Sequence, residues 1–149
     1  MNEDLFQLGI KALIVNSDGK ILLLKVNKEM LKGFSGDPYW DIPGGRIHRG
    51  STIEETLKRE VKEETGITNI TNTTPLAMVL SNIRIPWNNS DTGLILSVYV
   101  CEVNEPAEVI LSNEHTEFRW FEPKEAGALL QVKYPKEFTE KIFVPRVSS

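Results

Sequence analysis

Cysteine is nearly absent: Cys101 is the only one in 149 residues. A lone thiol cannot close an internal disulfide, so packing must hold the fold together. Cys101 lies in the apolar run LILSVYVCEV, which points to a buried, inert side chain and fits a reducing, cytoplasmic setting. Long hydrophobic runs are also missing. None approaches the roughly 20 residues that a helix needs to cross a bilayer. The N-terminal MNEDLFQLGIK has neither the basic region nor the apolar core of a secretory leader, so no targeting segment and no membrane partner are expected. Positive charge is in deficit, with 17 Lys and Arg against 21 Asp and Glu. Proteins that coat nucleic-acid backbones are usually basic, so no stable nucleic-acid partner is expected. A small phosphorylated molecule stays open, because metal ions or a few local cations can hold it. Repeats, low-complexity segments and linkers are lacking too. Residues 1–149 therefore read as one domain, large enough for a substantial core.

What is present is regular patterning. LGIKALIV and KILLLKV predict two strands joined at Asp18-Gly19, a strong hairpin signal. Residues 28 to 38 read as a loop with a short helical turn. Ser51 to Thr65 is the best helix, with Ser51 and Glu54 as a capping box and Gly66 as the stop. PLAMVLSNIRI predicts a strand, IPWNNSDTG a turn or loop, and LILSVYVCEV a central strand covered on both faces. TEFRWF alternates as a further strand. EPKEAGALL, with Pro123 in its first turn, and KEFTEKI predict short helices, and FVPRVSS a loose tail. The expected class is α/β, a mixed sheet covered by helices.

The segment REVKEETG places Glu60, Glu63 and Glu64 in five positions of the best helix. At about 100° per residue, Ile53, Leu57 and Val61 form its apolar stripe. Glu60 and Glu64 fall on the flank of that stripe, with Glu63 beside Glu60. A solvated acidic face is the ordinary reading of a charge cluster. Here it carries penalties. An i, i+4 pair of like charges costs roughly 0.2–0.5 kcal/mol. Acids near a helix C-terminus oppose its dipole, and partial burial worsens the repulsion. A divalent cation removes all three penalties, and carboxylates are the ligands that Mg²⁺, Ca²⁺ and Mn²⁺ prefer.

The longer segment GGRIHRGSTIEETLKREVKEETGI closely resembles the signature of the Nudix hydrolases, G-x5-E-x7-R-E-U-x-E-E-x-G-U, with U a bulky aliphatic residue. Gly45, Arg59, Glu60, Val61, Glu63, Glu64, Gly66 and Ile67 fall in register. Ser51 stands where the signature has glutamate, and His48 reads as an exposed loop residue. YWDIPGG before the box and LSNEHTEFRWF after it extend the likeness.

The resemblance implies an α/β/α sandwich and hydrolysis of a pyrophosphate bond in a nucleoside diphosphate linked to some group X. Mg²⁺, or alternatively Mn²⁺, would be the cofactor. By that likeness Glu60 and Glu64 are direct metal ligands, and Glu63 is shared between ligation and water activation. The Gly44 carbonyl adds a ligand. Arg59 orients Glu60 or a neighbour, with Glu55 also within its reach. Glu114 is the distal candidate for general base, and His115 reads as structural. Arg46 and Arg84 are candidates to meet phosphates; Tyr39, Trp40, Phe34 and Trp87 to stack a base or line the pocket. The partner is a small nucleotide, and the chain is expected to be a monomer or homodimer. Two other readings use the same resemblance: a non-catalytic nucleotide-sensing module, favoured by Ser51, and an isopentenyl diphosphate isomerase, which would need Cys101 at the site.

Overall fold

The computed structural model describes residues 2–30, 36–104 and 108–143. Strand β1 (Phe6–Val15) turns into β2 (Ile21–Val26) at the expected hairpin. The Asn16 side-chain oxygen accepts from the N–H groups of Asp18 (3.0 Å) and Lys20 (2.9 Å), and Gly19 takes φ +76°. A single 3₁₀ turn follows at Lys28–Met30. Phe34 lies outside the described residues. Next come β3 (Trp40–Asp41), β4 (Gly44–Arg46) and helix α1 (Ile53–Thr65). Then follow β5 (Ile70–Leu80), β6 (Ile85–Trp87), β7 (Ser90–Val103), β8 (His115–Phe121), α2 (Pro123–Leu129), a 3₁₀ turn at Leu130–Val132 and α3 (Lys136–Thr139).

The strands form a mixed sheet. β1 and β7 run parallel, from Phe6 opposite Gly93 to Val15 opposite Glu102. The other pairings are antiparallel, in the order β3-β2-β1-β7-β5 with β8 also on β2. Strand alternation splits the apolar residues between two faces. Leu13, Ile21 and Leu23 pack with Ala126, Leu130, Tyr134 and Phe138 on one side. Ala12, Ile14, Leu22 and Leu24 pack with Leu57 and Val61 of α1 on the other. Helices thus cover both faces, as an α/β/α sandwich requires. Among the described residues no helix is long and apolar enough to cross a membrane.

Four local expectations need correction. The cap of α1 is Thr52, not Ser51: its oxygen accepts from the Glu55 N–H, and its hydroxyl donates to the Glu55 carboxylate, both at 3.1 Å. The cap thus sits one residue on from the expected one, and its return link to Glu55 is hydroxyl to carboxylate instead of the backbone bond of a full capping box. Ile53 is consequently exposed, while Leu57 and Val61 are buried. IPWNNSDTG holds the expected turn, but strand flanks it on both sides. Asn88 (φ 45°) and Asn89 (φ 62°) make the tight turn of a β6–β7 hairpin, since asparagine tolerates the left-handed region. KEFTEKI divides into α3 and a 3₁₀ turn at Lys141–Phe143. The rest of the expected tail, residues 144–149, lies outside the described residues.

Candidate active site

The site is built where the β3–β4 turn passes beneath α1. The Ala12 N–H donates to the Pro43 carbonyl (2.8 Å), and Gly44 and Gly45 pair with Lys11 and Ile10 of β1. A Cβ on Gly44 would stand 2.2 Å from the Ile10 carbonyl oxygen, and one on Gly45 2.6 Å from the Glu60 carboxyl carbon. Only glycines let strand, turn and helix close this tightly. The turn then binds the helix directly, because the Gly44 N–H donates to Glu64 Oε2 at 2.7 Å.

The three box glutamates occupy different environments. Glu64 is buried, Glu60 half-buried and Glu63 exposed. Burial pushes the Glu64 carboxyl up to about 8, and Glu60 and Glu114 push the same way; Lys11 and the Gly44 N–H oppose them. Arg59 reaches Glu60 at 3.4 Å, one of the two partners expected for it, while Glu55 is engaged by the helix cap. Lys58 pairs outward with Glu54.

Glu114 and His115 come from the other side. The Asn27 N–H donates to the Glu114 carbonyl and the Asn27 side chain to the Asn113 carbonyl, both at 2.9 Å, which ties this turn to β2. The β8–β2 register then slips at Lys25 and Val26, which face Glu117 and His115. Such an irregularity re-aims side chains. Here a Glu64 oxygen, a Glu114 oxygen and a His115 nitrogen lie within 4.8 Å of one another. His115 Nδ1 is buried with no hydrogen-bond partner among the described residues, and it stands 3.8 Å from Glu64 Oε1. Burial, together with Lys11 and Lys133 and against Asp41, brings its pKa down to about 4. A buried carboxylate, a second carboxylate and an imidazole nitrogen without a partner form a donor set that suits a divalent cation.

A cavity of about 440 Å³ opens beside the glycine pair, lined by Lys11, Tyr39, Gly44, Arg46, Arg84 and Lys133 among others. In the protein wall behind it, Asp41 Oδ2 accepts from Lys11 (3.2 Å) and Lys133 (2.7 Å), and Asp41 Oδ1 from the Tyr134 hydroxyl (2.6 Å) and the Ile42 N–H (2.7 Å). Burial disfavours the Asp41 charge, but the two lysines outweigh it and hold its pKa well below the usual carboxylate range. Two cations thus share one carboxylate beside the cavity.

Lys11, Asp41, Lys133 and Tyr134 were not among the expected site residues. A clue was Lys11, a single lysine inside an apolar strand.

The other expected residues divide. Arg46 is exposed at the cavity. Arg84 also lines it, but its guanidinium is held at 2.8 Å by both Asp4 and Asp91. Trp87 lies at the β6–β7 hairpin and is not among the cavity-lining residues. Trp40 packs edge-on against Phe121. His48 is exposed, as expected, and its carbonyl accepts from the Ser51 N–H. Cys101 is fully buried, and burial pushes its thiol up to about 11. That placement removes the support for the isomerase reading.

Comparison with known proteins decides the family, because the NUDIX domain model matches residues 5–142. The chain belongs to the NUDIX family. As a member it is a Nudix pyrophosphohydrolase. Nucleoside triphosphatase NudI of Escherichia coli K12 is 29% identical over 117 residues, covering 75% of this chain and 79% of that one. An ADP-ribose pyrophosphatase of Methanocaldococcus jannaschii is 43% identical over 54 residues, which is 36% of this chain and 29% of that one. Among solved structures, a MutT protein from Methanosarcina mazei Go1 superposes with a TM-score of 0.74 at 26% identity, covering 95% of this chain and 96% of that one. An Ap4A hydrolase of C. elegans shares the fold, with a TM-score of 0.66 at 20% identity over 91% and 93% of the two chains.

Proposed function

We propose that this Nudix chain hydrolyses a pyrophosphate bond in a nucleoside triphosphate or related nucleotide, through water attack on phosphorus assisted by a divalent cation. The observation that carries this reading is the meeting of Glu64, Glu114 and His115, with Glu64 tied to Gly44, which lines a cavity together with Lys11 and Lys133. A bound Mg²⁺ or Mn²⁺ would neutralise phosphoryl oxygens and make a nearby water more acidic.

The chain's own groups divide the remaining work. Glu64 and Glu60 serve as cation ligands, with Glu63 and the Gly44 carbonyl at the same end of α1. The Gly44 N–H fixes the Glu64 carboxylate and so sets where the ion would sit. Arg59 restrains Glu60. Glu114, exposed and next to Glu64, takes the proton from the attacking water. Lys11 and Lys133 offset charge on the phosphate chain beyond the cation, and Arg46 meets it at the rim. Arg84, already paired with two aspartates, holds the cavity wall instead. Such catalysis relies on positioning and electrostatics, which these groups supply.

The likeness to the nucleoside triphosphatase NudI favours triphosphates, and that match covers more of this chain than the ADP-ribose pyrophosphatase match. The proposal includes a cytoplasmic setting and a monomeric or homodimeric chain. The test is a panel of nucleoside triphosphates, dinucleoside polyphosphates and nucleotide sugars, assayed for phosphate and pyrophosphate release with and without Mg²⁺. Metal-dependent release from at least one class is expected. Nucleotide binding with no turnover of any panel member would favour the sensing module instead.

A further inference from the structure

The roles given above to the box carboxylates are those of oxygen ligands; His115 shares the cluster with Glu64 and Glu114 but has no task of its own among them. Its side chain is 7% exposed, and its Nδ1 is buried without a hydrogen-bond partner among the described residues. It comes from β8, far in sequence from the box, and reaches the site through the register slip against β2. An interior polar atom left unmatched in this way is costly, so its retention calls for an occupant. The 3.8 Å to Glu64 Oε1 is too long for a hydrogen bond. A shared ion needs only a small approach: neighbouring ligands about 2.1 Å from an octahedral cation stand roughly 3.0 Å apart, so the two side chains would draw together by about 0.8 Å.

We propose that His115 Nδ1 is a nitrogen ligand to the cation held by Glu64, so that the site has a mixed oxygen and nitrogen donor set. This rests on reading the site as cation-binding. The consequence is selectivity. All-oxygen sites suit Mg²⁺, whereas an imidazole donor shifts preference toward transition-metal ions. Mn²⁺ therefore binds more tightly than Mg²⁺, and His115 carries much of the difference.

The test uses the whole protein with Mn²⁺ alone and reads binding, not turnover. Pulsed electron paramagnetic resonance of the Mn²⁺ complex should show coupling to an imidazole nitrogen, and ¹⁵N-histidine labelling should change its pattern. The sequence has two histidines, so His48→Ala should keep the coupling and His115→Ala should lose it. His115→Ala should also weaken Mn²⁺ binding about tenfold or more, and Mg²⁺ binding less. The unmutated protein alone is decisive: bound Mn²⁺ without nitrogen coupling, or no Mn²⁺ binding at all, would overturn the inference whatever the variants do. Failure of the hydrolase reading looks different, since nitrogen coupling would persist in a protein that turns over no nucleotide.

Discussion

Without metal, the Glu64 carboxylate is a liability to the fold, and that gives a prediction of unusual sign. Glu64 is 4% exposed, and its carboxyl is raised to about 8 from an ordinary 4.5, chiefly by burial. The folded state therefore holds a proton that the unfolded chain releases. The stability from that proton is full below about pH 4.5 and is lost as pH rises through about 8. At 1.36 kcal/mol per pKa unit the ceiling is about 5 kcal/mol. Lys11 sits close enough to share the adjustment, so about 1–3 kcal/mol is the expected measurable part. Glu64→Gln keeps the shape, and its carbonyl can still accept from the Gly44 N–H, but it cannot ionise. Urea denaturation in EDTA should find the variant more stable than the parent at pH 8 and equal to it near pH 4.5. Saturating Mg²⁺ should reverse the order at pH 8, because only the parent gains the binding energy of a well-held ion. A Gln variant that is less stable in EDTA at pH 8 would refute the reasoning.

Other substitutions separate the roles of neighbouring groups. Thr52→Ala should lower stability by about 0.5–2 kcal/mol, as loss of an N-cap does, whereas Ser51→Ala should cost under about 0.5 kcal/mol by the same denaturation assay. Glu114→Gln keeps an oxygen that can face the ion, so it should weaken Mn²⁺ binding much less than Glu64→Gln does, yet cut kcat by roughly 10²–10⁴ and flatten the acidic limb of the pH–rate profile. If its turnover matches the parent, the base lies in the box and Glu63 is the next candidate. Lys133→Met leaves Asp41 its Lys11 and Tyr134 partners, so the fold should survive. Its kcat/KM should fall more for triphosphates than for diphosphates, and an equal fall for both would remove the lysine pair from phosphate recognition.

The layers of the fold were legible because their signals are local. Leu57 and Val61 at helical spacing, Gly66 at the helix end and the Asp18-Gly19 turn each depend on neighbours in sequence. The α1 cap was missed by one residue because Ser51 and Thr52 are both good caps, each with a glutamate three residues on; backbone direction alone chooses between them. The turn at Asn88-Asn89 is legible, but the strand pairing on either side of it is not, since the polar residues there mask short strands. The Lys11–Asp41–Lys133 network was not legible. Its members are 30 and 92 residues apart, and only the sheet order and the 3₁₀ turn after α2 bring them together. The place of His115 beside Glu64 is hidden for a similar reason, because the register slip between β8 and β2 has no signature in the sequence.

The central claim is that this chain breaks a pyrophosphate bond by a cation-assisted attack of water on phosphorus. The most direct measurement is turnover of the best panel substrate in ¹⁸O-labelled water, with EDTA titrated in and Mg²⁺ then restored. The account predicts that ¹⁸O enters the phosphate or pyrophosphate product, or the nucleotide's phosphoryl group, and that EDTA abolishes turnover and Mg²⁺ recovers it. Full activity in excess chelator, or label found at carbon instead of phosphorus, would contradict it.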